Sequence, residues 1–251
     1  MTNEFVVGVI SKIPSANNPL SSFEIITDSI KEYSYVDLLC FGELYLLNDP
    51  QILDSNENKV LEMISSIREV SKKYNVAVSY GCVLKEDGKN YISQRIAFPN
   101  SREYIYKKVH LGKNEMKYFY PGDTIDVFDY KGYTFGVQIC IDTHIMEMSI
   151  LQKKLGAQII IAPFNTPYNT QKRLDNWSKY IPTRAYECNM CYICSNYHGG
   201  IQIVNGYGNI VKESISVDSI VIYTISSEKD FNKKLDYFSY RRPVLYKNIT
   251  R

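Results

Sequence analysis

Residues 133–163 read YTFGVQICIDTHIMEMSILQKKLGAQIIIAP, and this stretch decides the fold class of the chain. It begins with an apolar run over Tyr133–Ile141 and ends with another over Ala157–Pro163, each of a length suited to a buried strand. Between them, residues 146–155 are predicted to form a helix, and Gly156 follows where a glycine commonly ends one. A strand, a helix and a second strand in this order are typical of a layered α/β protein.

The same alternation continues on both sides of this stretch. Helices are predicted over Phe23–Tyr33, Asn58–Tyr74 and Gln171–Glu187, and the second of them spaces its apolar residues three and four positions apart, as an amphipathic helix does. Further strands are predicted over Phe5–Ile10, Val36–Phe41, Val76–Leu84, Tyr91–Phe98, Tyr104–Val109, Met190–Asn196, Gly200–Val204 and Ser219–Ile225. Because no linker, internal repeat or low-complexity tract interrupts the pattern, we expect residues 1–251 to form a single domain.

Composition and charge exclude several classes of function. Of the 251 residues, 45% are hydrophobic and 22% are charged, as in an ordinary globular protein. The net charge is only +2, and no cluster of basic residues stands out that would displace counterions from nucleic acid, so we expect no nucleic-acid partner. No apolar run approaches the roughly 20 residues of a membrane helix, so we expect no membrane partner either.

The amino terminus and the cysteines favour a cytoplasmic protein. No basic segment precedes the short apolar run Phe5–Ile10, as it would in a secretory signal, and the six cysteines are expected to stay reduced.

Cys188, Cys191 and Cys194 have the spacing C-x-x-C-x-x-C, which is found in some iron–sulfur sites. Cys191 and Cys194 would lie on opposite faces of one strand, however. We therefore interpret these cysteines as structural and expect no metal and no other cofactor.

Cys140 lies where the first quoted strand turns towards the helix, in Gly136-Val-Gln-Ile-Cys140-Ile-Asp142. Such a turn exposes the side chain at the edge of the sheet and directs backbone N–H groups and the helix dipole towards it. Both effects favour a thiolate and a developing oxyanion, so Cys140 is a candidate nucleophile. A buried core cysteine is the alternative interpretation, because free cysteines are among the most buried residues.

Two charged residues stand at or near the ends of other predicted strands. Glu43 comes just after Val36–Phe41, at the carboxyl end of a strand, where open α/β sheets place their active sites. An exposed loop acid is the alternative. Lys107 and Lys108 lie side by side on Tyr104–Val109, and neighbouring residues of a strand point to opposite faces. One of the two lysines is therefore predicted to point inward, where it needs an acidic partner.

In their order along the chain, these motifs resemble those of the nitrilase superfamily, the carbon–nitrogen hydrolases that use a Glu–Lys–Cys triad. The similarity rests on Phe41-Gly42-Glu43, on Tyr106-x-Lys108-x-His110-Leu111, and on Gly136-x-x-Ile139-Cys140-x-Asp142 followed by Glu147. It continues in Phe119-x-Pro121-Gly122-Asp123, in Gly156-Ala157, in Arg184-Ala185-x-Glu187-x-Asn189, in Asn196 and Gly200, and in Arg241-Arg242-Pro243. The resemblance thus spans roughly the whole chain.

The resemblance implies a four-layer αββα sandwich and a homodimer or higher homo-oligomer. It also implies that Cys140 is the nucleophile and Glu43 the general base. Lys108 and the backbone N–H of Ile141 would stabilise the oxyanion. Glu115 falls where the family often has a second glutamate, which positions the lysine and the substrate.

The expected reaction is hydrolysis of a non-peptide carbon–nitrogen bond in a small amide or N-carbamoyl amine, through a Cys140 thioester. Nitrile hydrolysis by the same triad is one alternative, and a non-catalytic scaffold that keeps the fold is another. The family often has Arg or Trp where this chain has His144. We interpret His144 as a residue that selects the substrate, with a surface histidine at a helix N-terminus as the alternative.

Overall fold

Strands in two mixed sheets form the centre of the computed structural model, which describes residues 4–14, 18–166, 170–234 and 237–246. The strands are β1 (Glu4–Ser11), β2 (Leu38–Cys40), β3 (Ala77–Glu86), β4 (Lys89–Ala97), β5 (Glu103–Lys107), β6 (Phe128–Tyr130), β7 (Tyr133–Val137), β8 (Ile159–Phe164), β9 (Cys191–Asn196), β10 (Ile201–Val204), β11 (Ile210–Ser214) and β12 (Ser219–Ser226). The α-helices are α1 (Pro19–Glu32), α2 (Pro50–Tyr74), α3 (Met146–Lys154) and α4 (Thr170–Cys188).

The two sheets repeat one plan. The first has the strand order β12-β1-β2-β3-β4-β5, and β1, β2 and β3 within it are parallel. The second has the order β11-β10-β9-β8-β7-β6, and β7, β8 and β9 are parallel. Antiparallel strands flank the parallel ones on both sides in each sheet. Each sheet therefore gathers the carboxyl ends of its parallel strands at one edge, where a site can form.

The sheets face each other, and helices cover their outer faces. Strand β1 packs against β9 and β10 of the other sheet, and the rings of Phe5 and Phe135 meet with their centroids 5.2 Å apart. Helix α2 contacts β3 and β4, and α1 lies against α2. Helix α4 contacts β9 and β10, and α3 lies against α4. The result is a four-layer αββα sandwich, which confirms the predicted fold class.

Two apolar cores fill the spaces between these layers. The larger one joins α1, α2 and both sheets, and the smaller one lies between the second sheet and α4. Cys191 belongs to the larger core, whereas Cys194 belongs to the smaller one. The two cysteines therefore lie on opposite faces of β9 as predicted, and Cys188 closes α4.

Helix α2 begins earlier than predicted, at Pro50 and not at Asn58. Its start carries ordinary capping residues, because the side chain of Asp49 accepts a hydrogen bond from the N–H of Gln51 at 2.8 Å and Pro50 takes the first helical position. The backbone then leaves helical geometry at Asn56, where φ is −139°. The polar first turns lack apolar periodicity, so the pattern alone did not indicate them.

Other boundaries also differ from the prediction. The strand predicted over Tyr133–Ile141 ends at Val137, and the short strands β6 and β11 were not predicted. No helix within the described ranges is long and apolar enough to cross a membrane. The single domain over residues 1–251 stays a prediction.

Candidate active site

Glu43 lies just beyond the carboxyl end of β2, and its carboxylate is buried. Its Oε1 accepts a hydrogen bond from the Nζ of Lys108 at 2.7 Å, and its Oε2 accepts one from the backbone N–H of Asn165 at 3.0 Å. Burial raises the pKa of Glu43, and the positive charge of Lys108 limits that rise. A carboxylate with a raised pKa is a stronger base, so this environment suits proton transfer.

The backbone around Glu43 approaches β3 closely at Gly81. A Cβ atom at this glycine would lie 2.0 Å from the backbone nitrogen of Leu44 and 2.6 Å from the carbonyl carbon of Glu43. The N–H of Gly81 donates to the carbonyl of Gly42 at 3.2 Å, which ties the two segments together. Only a residue without a side chain allows this approach, so Gly81 fixes the position of the Glu43 backbone.

Lys108 follows the last residue of β5, and its side chain is 1% exposed. Its Nζ donates to the Oε1 of Glu43 and to the Oε1 of Glu115, both at 2.7 Å. Burial acts to lower the pKa of Lys108, but the surrounding negative charges, that of Glu43 first, hold it above its ordinary value. Lys108 is therefore an ammonium ion at neutral pH. The prediction that one of the two neighbouring lysines points inward is confirmed.

Glu115 begins a short 3₁₀ helix, Glu115–Lys117, and is half-buried. Its Oε2 accepts a hydrogen bond from the N–H of Gly112 at 2.6 Å, while its Oε1 holds Lys108. The ammonium group of Lys108 is thus fixed between two carboxylates that come from different segments. This arrangement is the one expected of a glutamate that positions the lysine.

Cys140 begins a 3₁₀ helix, Cys140–His144, after β7 has ended. Its φ is +47°, a left-handed conformation that is uncommon for residues other than glycine and marks a sharp turn of the chain. The side chain is half-buried and interacts electrostatically with Glu43, Lys108 and Glu115. Ile141 follows in the first turn, where backbone N–H groups have no acceptor within the helix. The turn thus brings the Cys140 thiol to the charged cluster.

Burial acts on the charge state of Cys140 in the direction opposite to the position effects expected from the sequence. Burial raises the pKa of the thiol to about 12, the charge of Glu43 adds to the rise, and Lys108 opposes it. The charge of Glu115 also raises the pKa and that of Arg173 lowers it, so burial is the largest cause of the shift. Burial thus opposes the thiolate that the position of Cys140 favours, and a base is needed to remove the proton of the thiol.

Asp142 holds the turn around Cys140 in place. Its buried carboxylate accepts four hydrogen bonds: from the N–H of Ile139 at 3.1 Å, from the hydroxyl of Tyr106 at 2.9 Å, from the N–H of His110 at 2.9 Å, and from the Nδ1 of His110 at 2.8 Å. This last contact raises the pKa of His110. The segment that carries Lys108 and the turn that carries Cys140 are thereby joined through one side chain.

His144 is exposed, but one face of its ring packs against Tyr180 of α4, with the centroids 4.3 Å apart. The hydroxyl of Tyr180 lies 3.1 Å from the Oγ1 of Thr143, which in turn donates to the carbonyl of Cys140 at 2.6 Å. Partial burial, followed by the charge of Arg173, lowers the pKa of His144, so its imidazole is neutral at pH 7. His144 thus belongs to the surroundings of Cys140 and not to a remote surface.

Sequence reasoning missed three of the residues around the site. Asn165 directly follows β8, the strand next to the one that leads to Cys140, and this position at a carboxyl end was the available sign. Tyr180 and Arg173 lie on α4, and nothing in the pattern of that helix distinguishes them. The assembled site draws Glu43 and Lys108 from the first sheet, and Cys140 and Asn165 from the second.

A cavity of about 710 Å³ opens beside this cluster. Its walls include Val109, His110 and Leu111, which follow Lys108 in the chain, and Ile141 and Ile145, which follow Cys140. Residues 116–121, three of them aromatic, complete the lining, so the cavity is mostly apolar. Its size fits a small molecule.

Comparison with known proteins identifies the family of the chain. Residues 12–227 match the family model described as carbon-nitrogen hydrolase. An (R)-stereoselective amidase of a Pseudomonas species is 26% identical over 226 residues, which cover 83% of this chain and 81% of that protein. A probable nitrilase of Schizosaccharomyces pombe is 24% identical over 203 residues, which cover 73% of each chain.

A solved structure has the same fold. It is a mutant of the Nesterenkonia AN1 amidase from the nitrilase superfamily, with a TM-score of 0.84, 19% identity, and coverage of 98% of this chain and 97% of that one. The family match extends over most of the sequence and over both sheets. The chain therefore belongs to the carbon–nitrogen hydrolase family of the nitrilase superfamily, and it is a hydrolase of carbon–nitrogen bonds other than peptide bonds.

Proposed function

We propose that the protein hydrolyses a small amide or N-carbamoyl amine through a thioester on Cys140. The observation that carries the proposal is the Lys108 ammonium, held at 2.7 Å from both Glu43 and Glu115 and in electrostatic contact with Cys140. A buried charge cluster of this kind is costly to maintain, and such clusters concentrate at functional sites. The similarity to an amidase supports an amide as the substrate.

The chemistry follows from the protonation states. Glu43 takes the proton of the Cys140 thiol as the sulfur attacks the carbonyl carbon. The oxyanion that forms is stabilised by Lys108 and by the backbone N–H of Ile141. Glu43 then gives the proton to the departing ammonia or amine, and the C–N bond breaks to leave a thioester.

A water molecule completes the cycle. Glu43, again a carboxylate, removes a proton from water as the oxygen attacks the thioester, and a second oxyanion forms at the same donors. Collapse of this intermediate releases the carboxylic or carbamic acid, and the sulfur recovers a proton from Glu43. The atoms balance as substrate plus water gives acid plus ammonia or amine.

Replacing Cys140 with alanine is expected to lower amide turnover by at least about 10⁴-fold, because the covalent route is lost. The measurement is ammonia release from a panel of small amides, N-carbamoyl amines and nitriles, with circular dichroism to verify the fold. The best substrate of the panel identifies the class, and a preference for nitriles would favour the alternative reaction. Turnover that survives in Cys140→Ala would place the nucleophile elsewhere, and a wild-type protein silent on the whole panel, with Cys140 inert to alkylation, would favour the scaffold.

Replacing His144 with alanine is expected to change the ranking of substrates by about tenfold, while kcat on the best substrate changes less. The reason is that the ring packs on Tyr180, whose hydroxyl lies 3.1 Å from Thr143 in the turn that carries Cys140. Values of kcat and KM across the same panel give this comparison. An equal loss on every substrate would contradict a role in selection.

The homo-oligomer expected from the resemblance stays a prediction. Helices α3 and α4 and the residue that ends α3 expose apolar side chains that would suit an interface, namely Met146, Leu151, Leu155 and Tyr186. Sedimentation velocity measures the state in solution.

A further inference from the structure

The turn that joins β9 to β10 carries a histidine, His198, which takes no part in the proposed mechanism. The side chain is half-buried, and its Nε2 lies 3.0 Å from the Oδ1 of Asn165. Asn165 is also the residue whose backbone N–H donates to the Oε2 of Glu43 at 3.0 Å. One residue therefore links the imidazole to the carboxylate that serves as the base.

The direction of the hydrogen bond between His198 and Asn165 follows from the two groups. A side-chain carbonyl oxygen only accepts, so the Nε2 of His198 carries the hydrogen and donates it. Partial burial lowers the pKa of His198, so the imidazole is neutral at pH 7. Because a second proton would bind at Nδ1, the Nε2 donor is present in both charge states of the ring.

Aromatic stacking fixes the ring of His198. The ring packs on that of Tyr197 with the centroids 4.2 Å apart, and Tyr197 meets the ring of Tyr45 edge-on at 5.4 Å. Tyr45 lies two residues after Glu43 in the chain. Tyr197 also approaches the residue before Glu43, since a Cβ atom at Gly42 would lie 2.9 Å from the Cδ1 of Tyr197. The segment that carries Glu43 thus supports the ring of His198 through Tyr197.

The two neighbours of Asn165 are fastened by other bonds. The carbonyl of Phe164 accepts a hydrogen bond from the N–H of Glu43 at 3.2 Å. Thr166 donates its N–H to the Oδ1 of Asn196 at 3.0 Å, and its carbonyl accepts a bond from the Nδ2 of Asn196 at 3.1 Å. The side chain of Asn165 lies between these two anchors.

That side chain is held by the turn after β9. His198 donates to its Oδ1, and the hydroxyl of Tyr197 interacts with the same amide group. The orientation of residue 165 therefore depends on this turn, and His198 supplies the hydrogen bond to the amide oxygen.

The backbone N–H of Asn165 matters because the carboxylate of Glu43 is buried. Its Oε1 accepts from Lys108 and its Oε2 from Asn165. A hydrogen bond to the ionised form favours ionisation, and the N–H of Asn165 accordingly acts to lower the pKa of Glu43 against the effect of burial. If Asn165 moved, Oε2 would lose this donor, and the carboxylate would be both less well oriented and less often ionised.

We propose that His198 is a positioning residue for Glu43, because its hydrogen bond to the side chain of Asn165 keeps the Asn165 N–H on the carboxylate. This inference rests on the proposed function, in which Glu43 transfers the protons. The role requires no contact between His198 and the substrate. Loss of the hydrogen bond is therefore expected to lower kcat on every substrate and to leave the ranking of substrates unchanged.

Two substitutions separate the hydrogen bond from the packing of the ring. His198→Phe keeps a flat ring on Tyr197 but has no donor, whereas His198→Gln gives up the ring and places an amide donor where Nε2 lies. With the best amide of the panel, kcat is expected to fall about tenfold in His198→Phe, with KM changed less than about twofold. In His198→Gln, kcat is expected to stay within about threefold of the wild-type value.

The opposite order of activity, with His198→Gln impaired and His198→Phe active, would overturn the inference, because the ring would then act through packing. Equal kcat in the three proteins would overturn it as well. Circular dichroism and urea unfolding verify that each variant is folded. Should His198→Phe fail to fold, His198→Met provides an apolar side chain without a donor, and the same loss in kcat is expected.

The pH profile gives a readout that packing alone would not move. On the proposed mechanism, ionisation of Glu43 sets the acid limb of kcat/KM. In His198→Phe this limb is expected at higher pH than in the wild-type protein, because the carboxylate has lost a donor that favours its ionised form. In His198→Gln it is expected at the wild-type position. An acid limb that does not move in His198→Phe would contradict the positioning role.

Thr170 provides a matched control in contact with the same turn. Its Oγ1 donates to the backbone carbonyl of His198 at 3.5 Å, a contact that leaves the imidazole and Asn165 untouched. Thr170→Val removes this bond, and both kcat and the acid limb are expected to equal those of the wild-type protein. Losses in Thr170→Val as large as those in His198→Phe would overturn the inference, since a looser turn would explain both.

Infrared spectroscopy follows Glu43 without turnover. The difference between each protein and its Glu43→Gln derivative isolates the carboxyl band of Glu43, which is titrated with pH. The midpoint is expected at higher pH in His198→Phe than in the wild-type protein, and at the wild-type value in His198→Gln. Equal midpoints in all three would overturn the inference. Midpoints that shift as expected, in a protein without cysteine-dependent turnover on the whole panel, would instead contradict the proposed function alone.

Discussion

Replacing Glu43 with glutamine is expected to abolish amide turnover and, at the same time, to make Cys140 easier to alkylate. Turnover falls by about 10²–10⁴-fold because the variant has no base to remove the thiol proton. Alkylation becomes faster because the negative charge of Glu43 is one cause of the raised pKa of Cys140, while Lys108 acts in the opposite direction. Below that pKa, each unit by which it falls increases the thiolate fraction about tenfold.

The two effects are measured on one protein sample. Ammonia release gives turnover, and mass spectrometry after timed exposure to iodoacetamide between pH 7 and pH 10 gives the alkylation rate. Glu187→Gln is the matched control, because it removes a carboxylate that pairs with Arg184 on α4 and does not act on Cys140. Slower alkylation in Glu43→Gln would show that the carboxylate activates the thiol at rest, contrary to our assignment.

Replacing Lys108 with methionine is expected to lower turnover by about 10²–10³-fold and to destabilise the fold by about 3–5 kcal/mol. The catalytic loss arises because the oxyanion loses its cation. The loss of stability arises because Glu43 stays buried without its charged partner. Burial then raises the pKa of Glu43 further, and a carboxyl group with a raised pKa in the folded state holds its proton better there than in the unfolded chain.

The sign of the pH dependence follows from this argument. As pH falls through the raised pKa of Glu43 towards that of an unfolded glutamate, the carboxyl group becomes neutral. The loss of unfolding free energy in Lys108→Met, relative to the wild-type protein, therefore shrinks at acid pH and grows towards neutral pH. Urea unfolding of both proteins at pH 5 and pH 8 measures this loss. Lys107→Met is the control, since this neighbouring lysine pairs with Glu86 near the surface and is expected to cost less than about 1 kcal/mol. Equal losses in the two variants would contradict the assignment.

Local patterns in the sequence predicted much of this molecule. The strands that lead to Glu43 and Cys140 and the helix over Met146–Lys154 follow from the spacing of apolar residues along short segments. The strand pattern also predicted that one of the two neighbouring lysines points inward, and that lysine is Lys108. Gly156 also ends its helix as predicted, with a φ of +98°. These features depend on neighbours in the chain, and such neighbours are visible in a single sequence.

Features that depend on distant residues were not predictable in this way. The N–H that holds Glu43 belongs to Asn165, which is 122 positions away, and the carboxylate of Asp142 gathers partners from two segments. The left-handed turn at Cys140 ends its strand early, and no glycine marks the place. The pKa of Cys140 depends on burial and on charges from distant segments, which a local argument about the turn does not include.

The division of the site between the two sheets has a consequence for how the enzyme gains and loses activity. Glu43 and Lys108 belong to one half of the sandwich and Cys140 to the other, so neither half holds a working set of groups. On the proposed mechanism, activity therefore requires the two halves to be docked. A slight separation of the two halves on heating would abolish catalytic activity while most of the helices and strands are still intact.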